Sequence, residues 1–217
     1  MKNNAIILCF DLDYTLIDNT EGIRNSFNYA LKKYNLPEID FDIVRKMIGM
    51  PLEKIFNTIS PSNTPNLITA FREYYRSKGI SQVKLLPGIE KKLAELKKSN
   101  FVLGVITSKK EELAVKLLIN LKIAHYFDFI FGETDTRKTK TSPELIAQLY
   151  QKYPNCKFVV IGDHPNDRFL SEMLECPFIG VLTGNHSKEE LKLGAKTRTL
   201  ILNDVSEITA HKIVSLF

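Results

Sequence analysis

Six short runs of apolar residues recur along the chain, each rich in Val, Ile, Leu or Phe. They lie at residues 5–10, 101–106, 129–131, 158–161, 178–182 and 199–202. Because these runs are continuous and do not alternate with polar residues, they predict strands that are buried on both faces of a sheet. Helical patterns alternate with the later runs, at 88–99, 111–121, 142–152, 167–174 and 204–217. This order of elements predicts an α/β fold with a parallel, doubly wound sheet.

The segment from residue 17 to residue 84 departs from this alternation. It contains no convincing strand pattern, and helical patterns run through 18–34, 41–48, 52–58 and 65–78. Asp18 and Glu21 resemble a capping box at the start of the first of these helices. We therefore predict that residues 1–16 and 85–217 form the α/β core and that residues 17–84 form an inserted helical domain.

The amino-acid composition and the net charge limit the class of protein and the kinds of partner that we expect. The chain has 217 residues, 44% apolar and 25% charged, which is typical of globular proteins and excludes disordered and fibrous classes. The net charge of +5 is scattered, so we expect no nucleic-acid partner; the densest basic stretch is Arg137, Lys138 and Lys140. No apolar segment approaches 18 residues, so we expect no membrane partner.

The three cysteines are far apart in the sequence. Cys9, Cys156 and Cys176 show neither a CxxC spacing nor a Cys/His metal-binding pattern. Cys9 lies inside an apolar run, and nothing in the sequence marks an activating base beside it. We interpret all three as reduced, packed thiols of a cytoplasmic protein.

Two acidic residues follow the first predicted strand. Asp11 and Asp13 are two positions apart, so the period of an extended chain can direct both side chains into one cleft. Taken alone, the pair could equally be an acidic turn or a helix cap. Two carboxylates at the end of a buried strand nevertheless require a cation or hydrogen-bond donors, because burial of an unpaired charge is costly.

Three further polar signals occur later in the chain: hydroxyls that close the second core strand, a lysine before a helix, and acids that follow another strand. These residues are Thr107 and Ser108, then Lys140, and then Asp163 with Asp167. Each signal alone could be a helix cap, a solvated loop residue or a turn. In parallel sheets, however, ligands bind outside the carboxyl ends of the strands. Together with the Asp11/Asp13 pair there are four signals, and three of the four occur at such ends. Their coincidence indicates one site.

The residue types at this predicted site fit phosphoryl transfer. A carboxylate such as Asp11 can attack phosphorus and form an acyl phosphate. Mg²⁺ held by Asp11 and Asp163 would neutralise the charge of the reacting anions. Asp13 can protonate the leaving oxygen and later activate water. Lys140 and Thr107 can supply a positive charge and a hydroxyl donor to the phosphate oxygens.

Two other residues are candidates for supporting this chemistry. Asp167 could hold either Lys140 or a metal-bound water in place. Ser108 follows Thr107 directly and is a further candidate for binding substrate.

Together these motifs resemble those of the haloacid dehalogenase superfamily over nearly the whole chain. Asp11-x-Asp13-x-Thr15 resembles the first motif of that superfamily, and Thr107 resembles the second. Lys140 resembles the lysine of the third motif, and Gly162-Asp163-x-x-x-Asp167 resembles the fourth. The resemblance implies a Rossmann-like three-layer core, a mobile helical cap, and a magnesium site completed by the backbone carbonyl of Asp13. It is closest to the phosphoglycolate-phosphatase-like branch. The acid at position 13 favours phosphate esters over dehalogenase or phosphonatase substrates.

The sequence departs from the superfamily pattern at two positions. Tyr14 stands where Gly or Asp is common, and Thr141 replaces the proline that usually follows the lysine of motif three. Neither change removes a reacting group, but both affect loops of the site. Lys138 is a weaker alternative to Lys140 for the lysine of motif three.

The helical insertion should govern the choice of substrate, because closure of a cap excludes water and brings side chains over the leaving group. Arg45, Lys46 and the Gly49-Met50-Pro51 turn are candidates for facing the substrate, and Arg45 is the substrate-binding candidate that we select. Both basic residues could equally be ordinary solvated helix residues.

His164 could donate to substrate or could be a simple loop residue.

The sequence leaves three functions open. The leading prediction is a Mg²⁺-dependent phosphatase that acts on a small phosphorylated metabolite as a monomer or homodimer. A sugar phosphomutase would share the core and cap but would return the phosphoryl group to a sugar. A signalling or binding module could accept phosphate on Asp11 without turnover, although the acid at Asp13, the lysine at 140 and the inserted helices argue against it.

Overall fold

The structure is a computed structural model that describes residues 4–48 and 50–217; Gly49 of the predicted cap turn lies outside the described residues. The chain divides into two compact units. One comprises Met1–Ile17 and Leu85–Phe217, and the other comprises Asp18–Lys84. None of the helices in the described residues is both long and apolar enough to cross a membrane.

Strands of the first unit form a parallel sheet. In chain order, the strands of the described residues are β1 Ile6–Phe10, β2 Ile17–Asp18, β3 Lys84–Leu85, β4 Val102–Lys110, β5 Phe129–Glu133, β6 Lys157–Gly162, β7 Phe178–Val181 and β8 Thr199–Leu202. Six of them pair in the order β5-β4-β1-β6-β7-β8, and all neighbours are parallel. The predicted α/β fold with a parallel sheet is confirmed. A separate ribbon of β2 and β3 was not predicted, since two residues are too few to show a strand period.

Helices occur in both units. They are α1 Thr20–Lys33, α2 Phe41–Met47, α3 Leu52–Ile59, α4 Thr64–Ser77, α5 Ile89–Lys98, α6 Glu111–Asn120, α7 Pro143–Lys152, α8 Pro165–Met173, α9 Lys188–Lys192 and α10 Ala210–Val214. The second unit contains α1 to α4 and is therefore helical between its short terminal strands. Helices α5 to α10 belong to the unit that contains the parallel sheet.

The central strand β1 explains why the apolar runs are continuous. Ile7 and Cys9 belong to a buried cluster that also contains residues of α7 and α8, such as Leu149 and Leu170. Alternate residues point to the other face of the sheet, where Leu8 and its neighbours are also fully buried. With both faces buried, β1 holds the residue that follows it in a rigid position.

An aromatic cluster forms the core of the helical unit. The ring of Phe27 on α1 lies 4.8 Å from that of Phe71 on α4 and 5.1 Å from that of Phe56 on α3, measured between centroids. Aromatic pairs at such distances stabilise a core beyond the area that they bury. The helical unit therefore has its own hydrophobic core.

Three predictions about local elements differ from the structure. The single helix predicted over 204–217 is a 3-10 turn at Val205–Glu207 followed by α10, because Asp204 caps the turn and Thr209 caps a new helix. Helix α9 was missed, although the side chains of Ser187 and Glu190 form a capping box at its start. At α1, Asp18 accepts from the backbone N–H of Thr20, but Glu21 pairs with Lys84 and does not close a capping box.

The three cysteines are free thiols. Cys9 and Cys176 are buried, and burial raises the pKa of each thiol above its usual value. Because thiolates are the reactive form, these two residues are packing residues.

Candidate active site

Asp11 is held at the carboxyl end of β1 by the sheet itself. Its backbone N–H donates to the carbonyl of Ile161 on β6 at 2.8 Å, so the hydrogen-bond ladder extends one residue beyond the strand. The side chain of Asp11 is almost fully buried. A buried carboxylate on a rigid strand end is unable to turn toward bulk water and requires a partner inside the protein.

Lys140 is that partner. Its Nζ lies 3.1 Å from Oδ1 of Asp11 and 2.5 Å from Oδ1 of Asp167. The lysine side chain is itself buried, although it lies in the loop that precedes α7. Burial alone would lower the pKa of Lys140, but the charges of Asp11 and Asp167 raise that pKa above its ordinary value. The lysine is therefore a fixed positive charge between two carboxylates.

The segment after β6 contributes two more buried carboxylates. Oδ1 of Asp163 accepts a hydrogen bond from the hydroxyl of Thr15 at 3.2 Å. Oδ2 of Asp167 accepts from the backbone N–H of His164 at 3.1 Å, within a capping box at the start of α8. Both oxygens of Asp167 are thus engaged, one by this N–H and the other by Lys140.

Gly184 allows Asp163 to occupy its position. A Cβ atom at residue 184 would overlap the carboxylate of Asp163. This approach of backbone to carboxylate is possible only for glycine. Residue 184 lies in the loop after β7, so a third strand end contributes to the shape of the site.

Three acids of this site form a compact cluster. One carboxylate oxygen from each of Asp11, Asp163 and Asp167 lies within 4.8 Å of the other two. Within the described part of the chain, Lys140 is the cation that pairs with these acids. Burial, followed by the charges of neighbouring aspartates, raises the pKa of Asp163 well above normal; burial, partly offset by Lys140, raises the pKa of Asp11 to about 7. The cluster therefore carries more negative charge than its surroundings stabilise.

Asp13 lies in the turn that follows β1 and has a different partner. Its Oδ2 is 3.1 Å from Nζ of Lys109. Sequence reasoning missed Lys109, although its position two residues after Thr107 on an extended strand could have suggested a common face. Each carboxylate of the Asp11/Asp13 pair therefore has a lysine of its own.

Tyr14 follows Asp13 in an unusual conformation. Its φ of 56° lies in the left-handed region, which a bulky side chain disfavours and which suits the Gly or Asp of the family pattern. The carbonyl of Tyr14 accepts a hydrogen bond from the hydroxyl of Thr183, and its N–H donates to the carbonyl of Ile17 at 2.8 Å. These bonds hold the turn in a geometry that a tyrosine does not adopt readily.

The hydroxyl residues of β4 have different surroundings. Thr107 is buried, and its Oγ1 accepts the backbone N–H of Lys109 at 3.2 Å. Ser108 is exposed at the same strand end. The structure thus places Thr107 beside the lysine that contacts Asp13, and Ser108 toward solvent.

The remaining candidates differ in their surroundings. Lys138 is exposed and lies 3.9 Å from Asp135, so the buried Lys140 is the residue with contacts to the cluster. Arg45 and Lys46 are exposed on α2 of the helical unit. His164 caps α8 through its Nδ1, and burial lowers its pKa to about 4.

Comparison with known proteins identifies the family. The sequence model for haloacid dehalogenase-like hydrolases matches residues 8–181, which include all the motif residues described above. The chain belongs to the haloacid dehalogenase-like hydrolase family. We predicted a member of this family, of its phosphoglycolate-phosphatase-like branch, and a phosphoric monoester hydrolase. All three predictions are confirmed.

Relatives of this haloacid dehalogenase-like hydrolase cover almost its whole length. It is 31% identical to a protein of Dickeya dadantii (strain 3937) named "Probable phosphatase IndB", over 97% of this chain and 95% of that protein. It is 28% identical to a phosphoglycolate phosphatase of Photorhabdus laumondii, over 86% and 84% of the two chains. A solved structure of a predicted phosphatase from Clostridium acetobutylicum has 33% identity and a TM-score of 0.80, and the match covers 100% of both chains.

Proposed function

We propose that this haloacid dehalogenase-like hydrolase is a Mg²⁺-dependent phosphatase of small phosphorylated metabolites, with Asp11 as its covalent nucleophile. The observation that carries the proposal is the contact of Asp11 with Lys140 inside a buried cluster of three carboxylates. A nucleophilic carboxylate needs a nearby positive charge to receive a phosphate dianion. Lys140 supplies one such charge, and the remaining acids suit a metal ion that supplies another.

The acidic cluster fits Mg²⁺ by the chemistry of its donors. Mg²⁺ prefers oxygen ligands and commonly uses one or two carboxylates together with water. Asp11 and Asp163 would hold the ion, because both oxygens of Asp167 are engaged by Lys140 and a backbone N–H. The backbone carbonyl of Asp13 is the third protein ligand that the family resemblance implies. Bound Mg²⁺ would polarise a phosphoryl oxygen and offset the charge of the reacting anions.

Several residues of the protein would each have a separate role in the first chemical step. An oxygen of Asp11 attacks phosphorus and forms a new P–O bond, while the bond from phosphorus to the leaving oxygen breaks. The leaving oxygen takes a proton from the carboxyl group of Asp13. Lys140 and the hydroxyl of Thr107 stabilise the charge on the phosphoryl oxygens.

A second step would regenerate the enzyme. Asp13, now ionised, removes a proton from water as that water attacks the phosphorus of the aspartyl phosphate. The bond between phosphorus and Asp11 breaks, inorganic phosphate leaves, and both carboxyl groups return to their starting states. A phosphatase and a phosphomutase share the first step and differ in the acceptor of the second.

Product analysis would test the proposal. The purified protein would be incubated with Mg²⁺ and p-nitrophenyl phosphate, glycerol 2-phosphate, 2-phosphoglycolate and hexose phosphates, and inorganic phosphate would be measured. We expect release of phosphate that stops when the metal is chelated. Acid quenching should trap a hydroxylamine-sensitive phosphoenzyme in the wild type and none in Asp11→Asn. Formation of an isomeric sugar phosphate without release of phosphate would establish the mutase instead, and inertness toward all esters would refute both.

A further inference from the structure

We infer that Lys109 is a positioning residue for the acid/base Asp13, an inference that rests on the proposed function. Nζ of Lys109 lies 3.1 Å from Oδ2 of Asp13, and the two side chains are 12% and 22% exposed. An ion pair that is largely withdrawn from water is weakly screened and restricts rotation of both side chains. The contact thus fixes the direction in which the carboxyl group of Asp13 points.

A bulge in β4 places Lys109 at this position. Ile106 pairs with Phe131 and Lys110 pairs with Glu133, so four steps along β4 match two steps along β5. The extra residues lie between these pairs, where bulges commonly redirect side chains next to active sites. Thr107 contributes by accepting the backbone N–H of Lys109 through its hydroxyl.

Gly132 makes room for the bulged segment. A Cβ atom at residue 132 would lie 2.5 Å from the carbonyl oxygen of Lys109 and 2.7 Å from the backbone of Glu111. Such distances are too short for a side chain, so glycine at this position allows β4 and β5 to approach. The backbone of Lys109 is therefore supported by the neighbouring strand.

The two lysines of the site would have different roles. Lys140 contacts the nucleophile Asp11, whereas Lys109 contacts the residue that exchanges a proton with the leaving group. In the first step, loss of Lys109 should therefore matter only when the leaving oxygen needs a proton. An alkoxide needs one to depart, but p-nitrophenolate is stable as an anion.

The decisive experiment compares two esters in Lys109→Met. Because kcat/KM reports the steps up to formation of the phosphoenzyme, it isolates the transfer to Asp11. For glycerol 2-phosphate, kcat/KM should fall about 10²-fold, the usual effect of a misplaced catalytic group, whereas for p-nitrophenyl phosphate it should stay within about threefold. A burst of p-nitrophenolate should precede slow turnover, since Asp13 also activates water in the second step. Lys109→Arg should restore most of the activity toward glycerol 2-phosphate.

Lys110→Met is the matched control. It removes the same charge from the adjacent residue, for which no ion pair with the described residues occurs. We expect kcat/KM to be unchanged for both esters. Should Lys109→Met unfold, Lys109→Gln at the same position provides the comparison of the two esters, and thermal unfolding of each variant is measured alongside.

Three results would overturn the positioning role. Equal losses for the two esters would indicate a general structural effect. A loss confined to 2-phosphoglycolate, which carries an additional carboxylate, would mean that Lys109 binds an anion of the substrate. A full loss from Lys109→Met in an Asp13→Asn background would show that Lys109 acts independently of Asp13. If the wild type hydrolyses none of the esters, the proposed function fails and the inference fails with it.

Discussion

Helix α8 contributes residues to two groups of charged side chains, and the two groups differ in net charge. Arg168 pairs with Glu172 and lies within 3.4 Å of the carbonyl of Gly194, so one cation meets one acid. The preceding residue, Asp167, belongs to the cluster at the carboxyl edge of the sheet, where three acids share Lys140. The first group is neutral as a pair, whereas the second holds excess negative charge. That excess suits the cation of the proposed function, and it destabilises the fold in the metal-free protein.

The most severe test of this difference is Asp11→Asn. We expect turnover to fall below detection, because an amide does not attack phosphorus. The metal-free variant should nevertheless melt about 2–4 °C higher than the wild type, equivalent to about 1 kcal/mol, since a buried charge is removed. Phosphate release and calorimetry in the presence of a chelator would check both. A lower melting temperature would mean that the cluster is not strained by its charge.

Lys140→Met should produce the next largest effect. Removing the cation leaves Asp11 and Asp167 without their ion pair, which costs about 3–5 kcal/mol for a buried pair. Activity should fall strongly as well. Denaturant unfolding of the metal-free protein measures the loss of stability, and added Mg²⁺ should recover part of it by binding the folded state. An unchanged unfolding free energy would contradict the described contacts.

Arg168→Met tests the balanced pair. It should cost about 3 kcal/mol of stability, because the largely buried carboxylate of Glu172 loses its cation and retains the backbone N–H of Lys196 as a donor. Within the described residues, the side chain of Arg168 forms no ion pair with the acidic cluster, so kcat/KM should stay within about threefold of the wild-type value. A loss of activity much larger than this would show that the two charge groups on α8 are coupled.

A smaller effect is expected from pH in the metal-free protein. Burial raises the pKa of Asp11 from 3.8 to about 7, so the folded state retains a proton that the unfolded state has lost. This contribution to stability is fully present below pH 3.8 and is lost as pH rises to about 7. We expect Asp11 to account for a loss of about 1–2 kcal/mol over that range, and this share should disappear in Asp11→Asn. A remaining pH dependence is expected from Asp163, because burial also raises its pKa. Unfolding curves measured from pH 4 to pH 8 with a chelator would provide the comparison.

Sequence patterns predicted the parts of the fold that depend on long apolar runs. The six sheet strands were recognisable because both faces of β1 and its neighbours are buried. The ribbon of β2 and β3 and the short helix α9 were not recognised, since two strand residues or one buried residue, Leu191, give no periodicity. At the C-terminus, the caps at Asp204 and Thr209 divide what its apolar residues suggested was one helix.

The candidate site was predictable where residue type and position coincided. Asp11, Lys140 and Asp163 stood at strand ends or before a helix, and the structure brings them together across more than a hundred residues of sequence. Lys109 was not predicted because a lysine after a strand is common and the bulge that turns it toward Asp13 has no local signature. Charge contacts across strands depend on tertiary geometry that a single sequence does not reveal.

The close contact between residue 184 and Asp163 has a consequence for sequence variation. Any side chain at residue 184 would displace an acid of the proposed metal site, although glycine has no functional group to react, bind or donate. In a library of random substitutions selected for activity, position 184 should thus tolerate as little change as the aspartates. Gly184 would then look like a catalytic residue in such a survey, when its contribution is only the space that it leaves open.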